Sequence, residues 1–149
     1  MTHFTRTSAL FIICLSISGV SAAHGLGPLP TFQCTLTNKL NVYYWPGFPE
    51  KDFSTNAPEV FLICDSNNAV TGDRIKAVWV ADHVKNDSYP PNKTLAVKTR
   101  RYVKHQNSDE TFEANLSLAK PEGGWPLGNY HVQLYVNNVE GQIYRFNVR

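Results

Sequence analysis

The chain has 149 residues, 42% of them hydrophobic and 17% charged, with a formal net charge of +2. That length makes one domain with a core large enough to need no structural metal. The near-neutral balance argues against a nucleic-acid binder driven by bulk charge, and no segment after the N-terminal one is long and apolar enough to span a membrane.

Residues 1–23 read as a cleaved signal peptide. Arg6 supplies the positive start, "SALFIICLSISGV" is an apolar run too short for a bilayer, and small-residue cleavage sites end at Ala22 and Ala23. Large Ile13 before Cys14 argues against a lipoprotein. The expected mature protein is exported, periplasmic or secreted, with thirteen Lys plus Arg against twelve Asp plus Glu once Arg6 is removed. A cut after Ala23 exposes His24, whose amine and imidazole together suit Cu(II). A copper site of that kind needs a second histidine, from His83, His105 or His131, and a cut after Ala22 abolishes it. Copper is therefore the alternative cofactor; the main reading has none.

Residues 24–31 form an extended lead-in, and strand signals follow. "TFQCTLT" alternates Phe32, Cys34 and Leu36 against polar residues. "LNVYYW" alternates Leu40, Val42 and Tyr44. "EVFLIC" is a continuous apolar run suited to a central strand, and "RIKAVWVAD" carries Ile75, Val78, Trp79 and Val80. "TLAVKTRRYVKH" places Leu95, Val97 and Val103 at odd positions. "TFEANLSLA", "NYHVQLYVN" and "QIYRFNVR" alternate cleanly to the C-terminus. Turn-rich segments separate these runs, and "NNVEG" joins the last two as a hairpin. No segment has a helical period. The expectation is an all-β, antiparallel sandwich of seven to eight strands, a single domain over 24–149.

Cys34 and Cys64 each lie in a strand-like run. In an oxidising compartment an even pair reads as a disulfide. Free thiols or a metal pair are the rival, disfavoured because no CxxC or Cys/His cluster is present.

The ending "FEANLSLAKPEGGWPLGNYHVQLYVNNVEGQIYRFNVR" resembles the close of bacterial extracytoplasmic Ig-like domains, in which a strand ending in Lys-Pro leads to a Gly-Trp-Pro-x-Gly-x-Tyr turn and a "VxLYxN" hairpin. The matching positions are Lys120, Pro121, Gly124, Trp125, Pro126, Gly128, Tyr130, Val132, Leu134, Tyr135, Asn137, Phe146 and Val148, and the resemblance covers about half the mature chain. The resemblance implies an Ig-like sandwich and is poor for function, since such domains serve adhesion, assembly or ligand binding. The residues agree with it. Gly124 and Gly128 permit unusual backbone angles, Pro126 presets its own, Trp125 can cap one end of the sandwich, and Tyr130 is placed for a tyrosine corner.

No GxSxG elbow is present, and the carboxylates scatter through turns, where Asp favours bonding to the backbone. No motif assembles an active site. Two surfaces remain as binding candidates. The basic strand puts Lys98, Arg100, Tyr102 and Lys104 on one face, suited to an anionic partner or to guarding a sheet edge. The loop "YYWPGFPEKDF" concentrates Tyr43, Tyr44, Trp45, Phe48 and Phe53, residues that either enter the core or present an apolar recognition patch. Sequons occur at Asn86, Asn92 and Asn115 and read as incidental in a bacterial protein. The expected function is non-catalytic binding, with another envelope or extracellular protein as partner and no nucleic acid.

Overall fold

A computed structural model describes residues 28–40, 48–103 and 114–149. They form eight strands: β1 (Gln33–Thr37), β2 (Asp52–Phe53), β3 (Glu59–Asp65), β4 (Arg74–Val84), β5 (Lys93–Arg101), β6 (Ala114–Ala119), β7 (Gly128–Val136) and β8 (Val139–Val148). One sheet has the order β1-β3-β6 and the other β2-β8-β7-β4-β5. All neighbours run antiparallel except the short parallel pair β2–β8. The result is an all-β sandwich. Among the described residues no helix is long and apolar enough to cross a membrane.

The strand alternation read from the sequence becomes the core. In the smaller sheet, Leu36 stands opposite Leu62 and Leu62 opposite Leu116, a buried row across all three strands. In the larger sheet, Ala81 faces Tyr130 and Tyr130 faces Phe146; in the next row Trp79 faces Val132, which faces Tyr144. Cross-strand partners share a face, so both rows point into the same interior. Trp79, Tyr130, Phe146, Leu62 and Ile75 are among its largest fully buried side chains.

The Cys34–Cys64 disulfide is present. It links directly opposite residues of neighbouring strands, β1 and β3, with Cα atoms 4.0 Å apart. Cys64 is fully buried and Cys34 packs against the core. The backbone N–H of Cys34 points away from β3 and donates to the Tyr144 hydroxyl of the opposite sheet. One residue pair therefore ties two strands covalently and the two sheets by a hydrogen bond.

The final hairpin turns on Asn137 and Asn138, with φ of 50° and 70°. Positive φ at both central residues is the type I′ condition, which suits the twist of the flanking strands. Asn137 also receives the Arg74 N–H on its Oδ1 and donates from Nδ2 to Asp73, anchoring the turn to the start of β4.

Three features depart from the sequence reading. The strand expected over residues 40–45 falls largely outside the described residues. β2 lies inside what reads as a turn, and its two residues find their place through the core: Phe53 is buried edge-on to Phe146 at 5.4 Å. The phase of β5 is also shifted. Trp79 pairs with Ala96 but Val80 pairs with Thr94, so Leu95 is an extra residue in a β-bulge. Beyond it the even positions point inward. Val97 is 56% and Val103 47% exposed, while Tyr102 is 3% exposed. The expected apolar face Leu95–Val97–Val103 is thus split by one inserted residue.

Candidate functional site

The basic strand β5 is the last strand of the larger sheet, and together with β4 it carries cations on both faces. Ala77 pairs with Lys98 and Ile75 with Arg100, so Lys98 and Arg100 lie on the core-facing side. Both are nevertheless exposed. On the outer side Arg74 stands directly opposite Arg101, and Lys76 opposite Thr99. Lys76 places its ammonium 4.0 Å from the Tyr135 ring centroid on the neighbouring strand. Among the described residues the carboxylates in contact with basic side chains are Asp52, with Arg149, and Asp82, with His131, and neither contact involves these cations. Asp73, the nearest carboxylate in sequence, accepts from Val70 N–H and from Asn137.

Tyr102 does not belong to this surface. It leaves the strand end, packs edge-on against Phe32 at 5.7 Å and joins the core. Its backbone N–H donates to Asp73 and its carbonyl accepts from Gly72, which closes the loop before β4. Lys104 lies outside the described residues.

The aromatic loop is divided in the same way. Phe53 is core, whereas Phe48 is 90% exposed. Tyr43, Tyr44 and Trp45 lie outside the described residues, as does His24. After Phe48 the chain crosses between the sheets, with Glu50 N–H donating to Leu36 and Asn147 N–H donating to Lys51. Pro49, Glu50 and Lys51 line a groove of about 590 Å³ between β1 and β8. This surface and the basic strand do not form one patch. Four strand spacings separate β2 from β5, roughly 19 Å.

The Gly-Trp-Pro-x-Gly-x-Tyr turn has a structural role throughout. Trp125 is 2% exposed, donates from Nε1 to the Ala57 carbonyl at 2.8 Å, and meets Tyr130 edge-on. The Tyr130 hydroxyl donates to the Pro126 carbonyl at 2.6 Å, which makes the expected corner. Gly124 adopts φ of 90° and stands beside the Thr55 carbonyl, which accepts the Trp125 N–H. Gly128 pairs with Val84 where the backbones approach too closely for a side chain.

One polar arrangement was not legible in the sequence. Alternation along β4 puts Asp82 on the outer face of the larger sheet, at a second bulge between Ala81 and His83. There its Oδ1 lies 2.5 Å from His131 Nδ1, and both side chains are 19% exposed. The residues are 49 positions apart, and only sheet register brings them together. Among the described residues no group of three or more His, Cys, Asp or Glu is placed to hold a metal ion.

No protein-family model matches the chain, and no curated protein matches it significantly.

Proposed function

We propose that this is an exported, Ig-like, non-catalytic module that binds the acidic surface of another envelope or extracellular protein. The supporting observation is Arg74 directly opposite Arg101, with Lys76 on the same outer face and no carboxylate paired to any of the three among the described residues. Like charges directly opposite on a sheet destabilise it. An acidic partner relieves that repulsion, and clustered cations steer such a partner during encounter. The Ig-like reading draws further support from the tyrosine corner at Tyr130 and from the buried Trp79 on β4, features of that sandwich. The disulfide is compatible with export.

The test is capture of partners from envelope extract on immobilised mature protein, alongside the double variant Arg74→Gln/Arg101→Gln. Both arginines are exposed, so the variant retains the fold. The expected result is a partner captured by the parent, released by raised salt and lost with the variant. Capture that is equal for both proteins and indifferent to salt would overturn the proposal.

A further inference from the structure

We infer a second, separate ligand site on the outer face of the larger sheet, built to take a carboxylated sugar. This goes beyond the protein-binding surface proposed above. A shallow, solvent-open depression of about 540 Å³ lies around Asp82, His131, Arg145, Asn129, Asn147 and Ile143, with His83 and Asn92 also in its lining. That volume lies in the range of small-ligand sites. The sheet register assembles it. His131 stands opposite Arg145, Asn129 opposite Asn147, and Gln133 opposite Ile143, so consecutive rows present their outer residues to one depression.

The chemistry of the lining selects the ligand class. Asp82 is the carboxylate among these residues and is already engaged by His131 Nδ1. The contact with Asp82 orients the His131 ring and leaves Nε2 as the nitrogen open to a ligand. Arg145 is exposed and takes part in no ion pair among the described residues. Its guanidinium fork matches one carboxylate in bidentate fashion. The side-chain amides of Asn129 and Asn147 both donate and accept, as sugar hydroxyls do; Asn147 Nδ2 is held by Asp52, which fixes its orientation. Ile143, 44% exposed, supplies an apolar wall for the C–H face of a ring. One negative charge, several adjacent hydroxyls and an apolar face together describe a uronic acid. An acidic peptide side chain offers the charge without the hydroxyls.

The site is distinct from the cation cluster. Arg74 and Asp82 lie eight residues apart on β4, about 27 Å along the strand. The experiment is a calorimetric or NMR titration of the folded, disulfide-bonded protein with D-glucuronate, D-glucose and acetate as probes. Glucuronate is expected to bind in about the millimolar range and at least about tenfold more tightly than either of the others. Arg145→Met should bring glucuronate down to the level of glucose, and His131→Gln should weaken both sugars. Arg74→Gln/Arg101→Gln should leave the sugar titrations unchanged, which separates this site from the protein-binding surface. Glucuronate binding no tighter than acetate or glucose would overturn the inference, as would an Arg145→Met variant with unchanged preference.

Discussion

Gly128 shows how little freedom the Gly-Trp-Pro turn leaves. Its φ is 150°, and a Cβ added there would meet the His83 carbonyl oxygen and stand 2.6 Å from Val84 Cα. Both obstacles are backbone, so no rotamer change relieves them. Gly128→Ala should therefore lower stability by about 3 kcal/mol, read as a fall in the urea midpoint at constant slope. Two residues on, burial pushes the Tyr130 phenol well above its usual 10.0, with Tyr89 adding to the shift. The folded state thus holds this proton more tightly than the unfolded state does. The resulting stability is fully present below pH 10 and is lost as pH rises above it, because only the unfolded chain then releases the proton. Tyr130→Phe should flatten this alkaline decline. At neutral pH it should cost about 1 kcal/mol, for the lost bond to the Pro126 carbonyl. A parent protein whose stability does not fall in alkali faster than the variant's would contradict the burial argument.

Between strands, the disulfide and the free edge invite separate tests. Cys34 and Cys64 close a loop with a sequence separation of 30. Replacing both with serine should cost roughly 3–4 kcal/mol on the loop-entropy account, measured by denaturant unfolding. The bond between the sheets should survive in the serine variant, since the backbone N–H of residue 34 still donates to the Tyr144 hydroxyl. At the other margin, Lys98 and Arg100 point toward the core side of an edge strand, one of the devices that discourages pairing between molecules. Lys98→Val/Arg100→Val should leave the monomer folded yet produce concentration-dependent association in sedimentation velocity. Persistence of a monomer at all concentrations would rule out edge protection by these residues.

For the molecule as a whole, both sheets contribute to a single hydrophobic cluster running from Phe32 to Val148. Such a shared core should unfold in one step. Strand signal by circular dichroism and tryptophan fluorescence should then give coincident melting curves, and separated curves would mean the sheets unfold independently. Much of this architecture is legible along the chain. Period-two alternation marks β1, β6, β7 and β8, an apolar β-branched run marks β4, the Asn-Asn pair marks the last hairpin, and Tyr130 after Pro126 marks the corner. β2 was not legible, because two residues carry no period and Phe53 is placed only by Phe146. The phase of β5 was not legible either, because the bulge at Leu95 has no local signature and answers to the register of β4. That bulge is why Tyr102, which alternates with Lys98 and Arg100, ends in the core and not on the basic surface.

Local alternation, turn chemistry and a pair of cysteines in strand-like runs were enough for an all-β sandwich with one disulfide, because each depends on neighbours in sequence. Which cations face one another, and which histidine meets which aspartate, depends on register between strands far apart in the chain. Arg74 meets Arg101, and Asp82 meets His131, only once β4 has paired with β5 on one side and β7 on the other. Pairing of that kind is set by how the buried rows interlock, and a single inserted residue redirects every side chain beyond it.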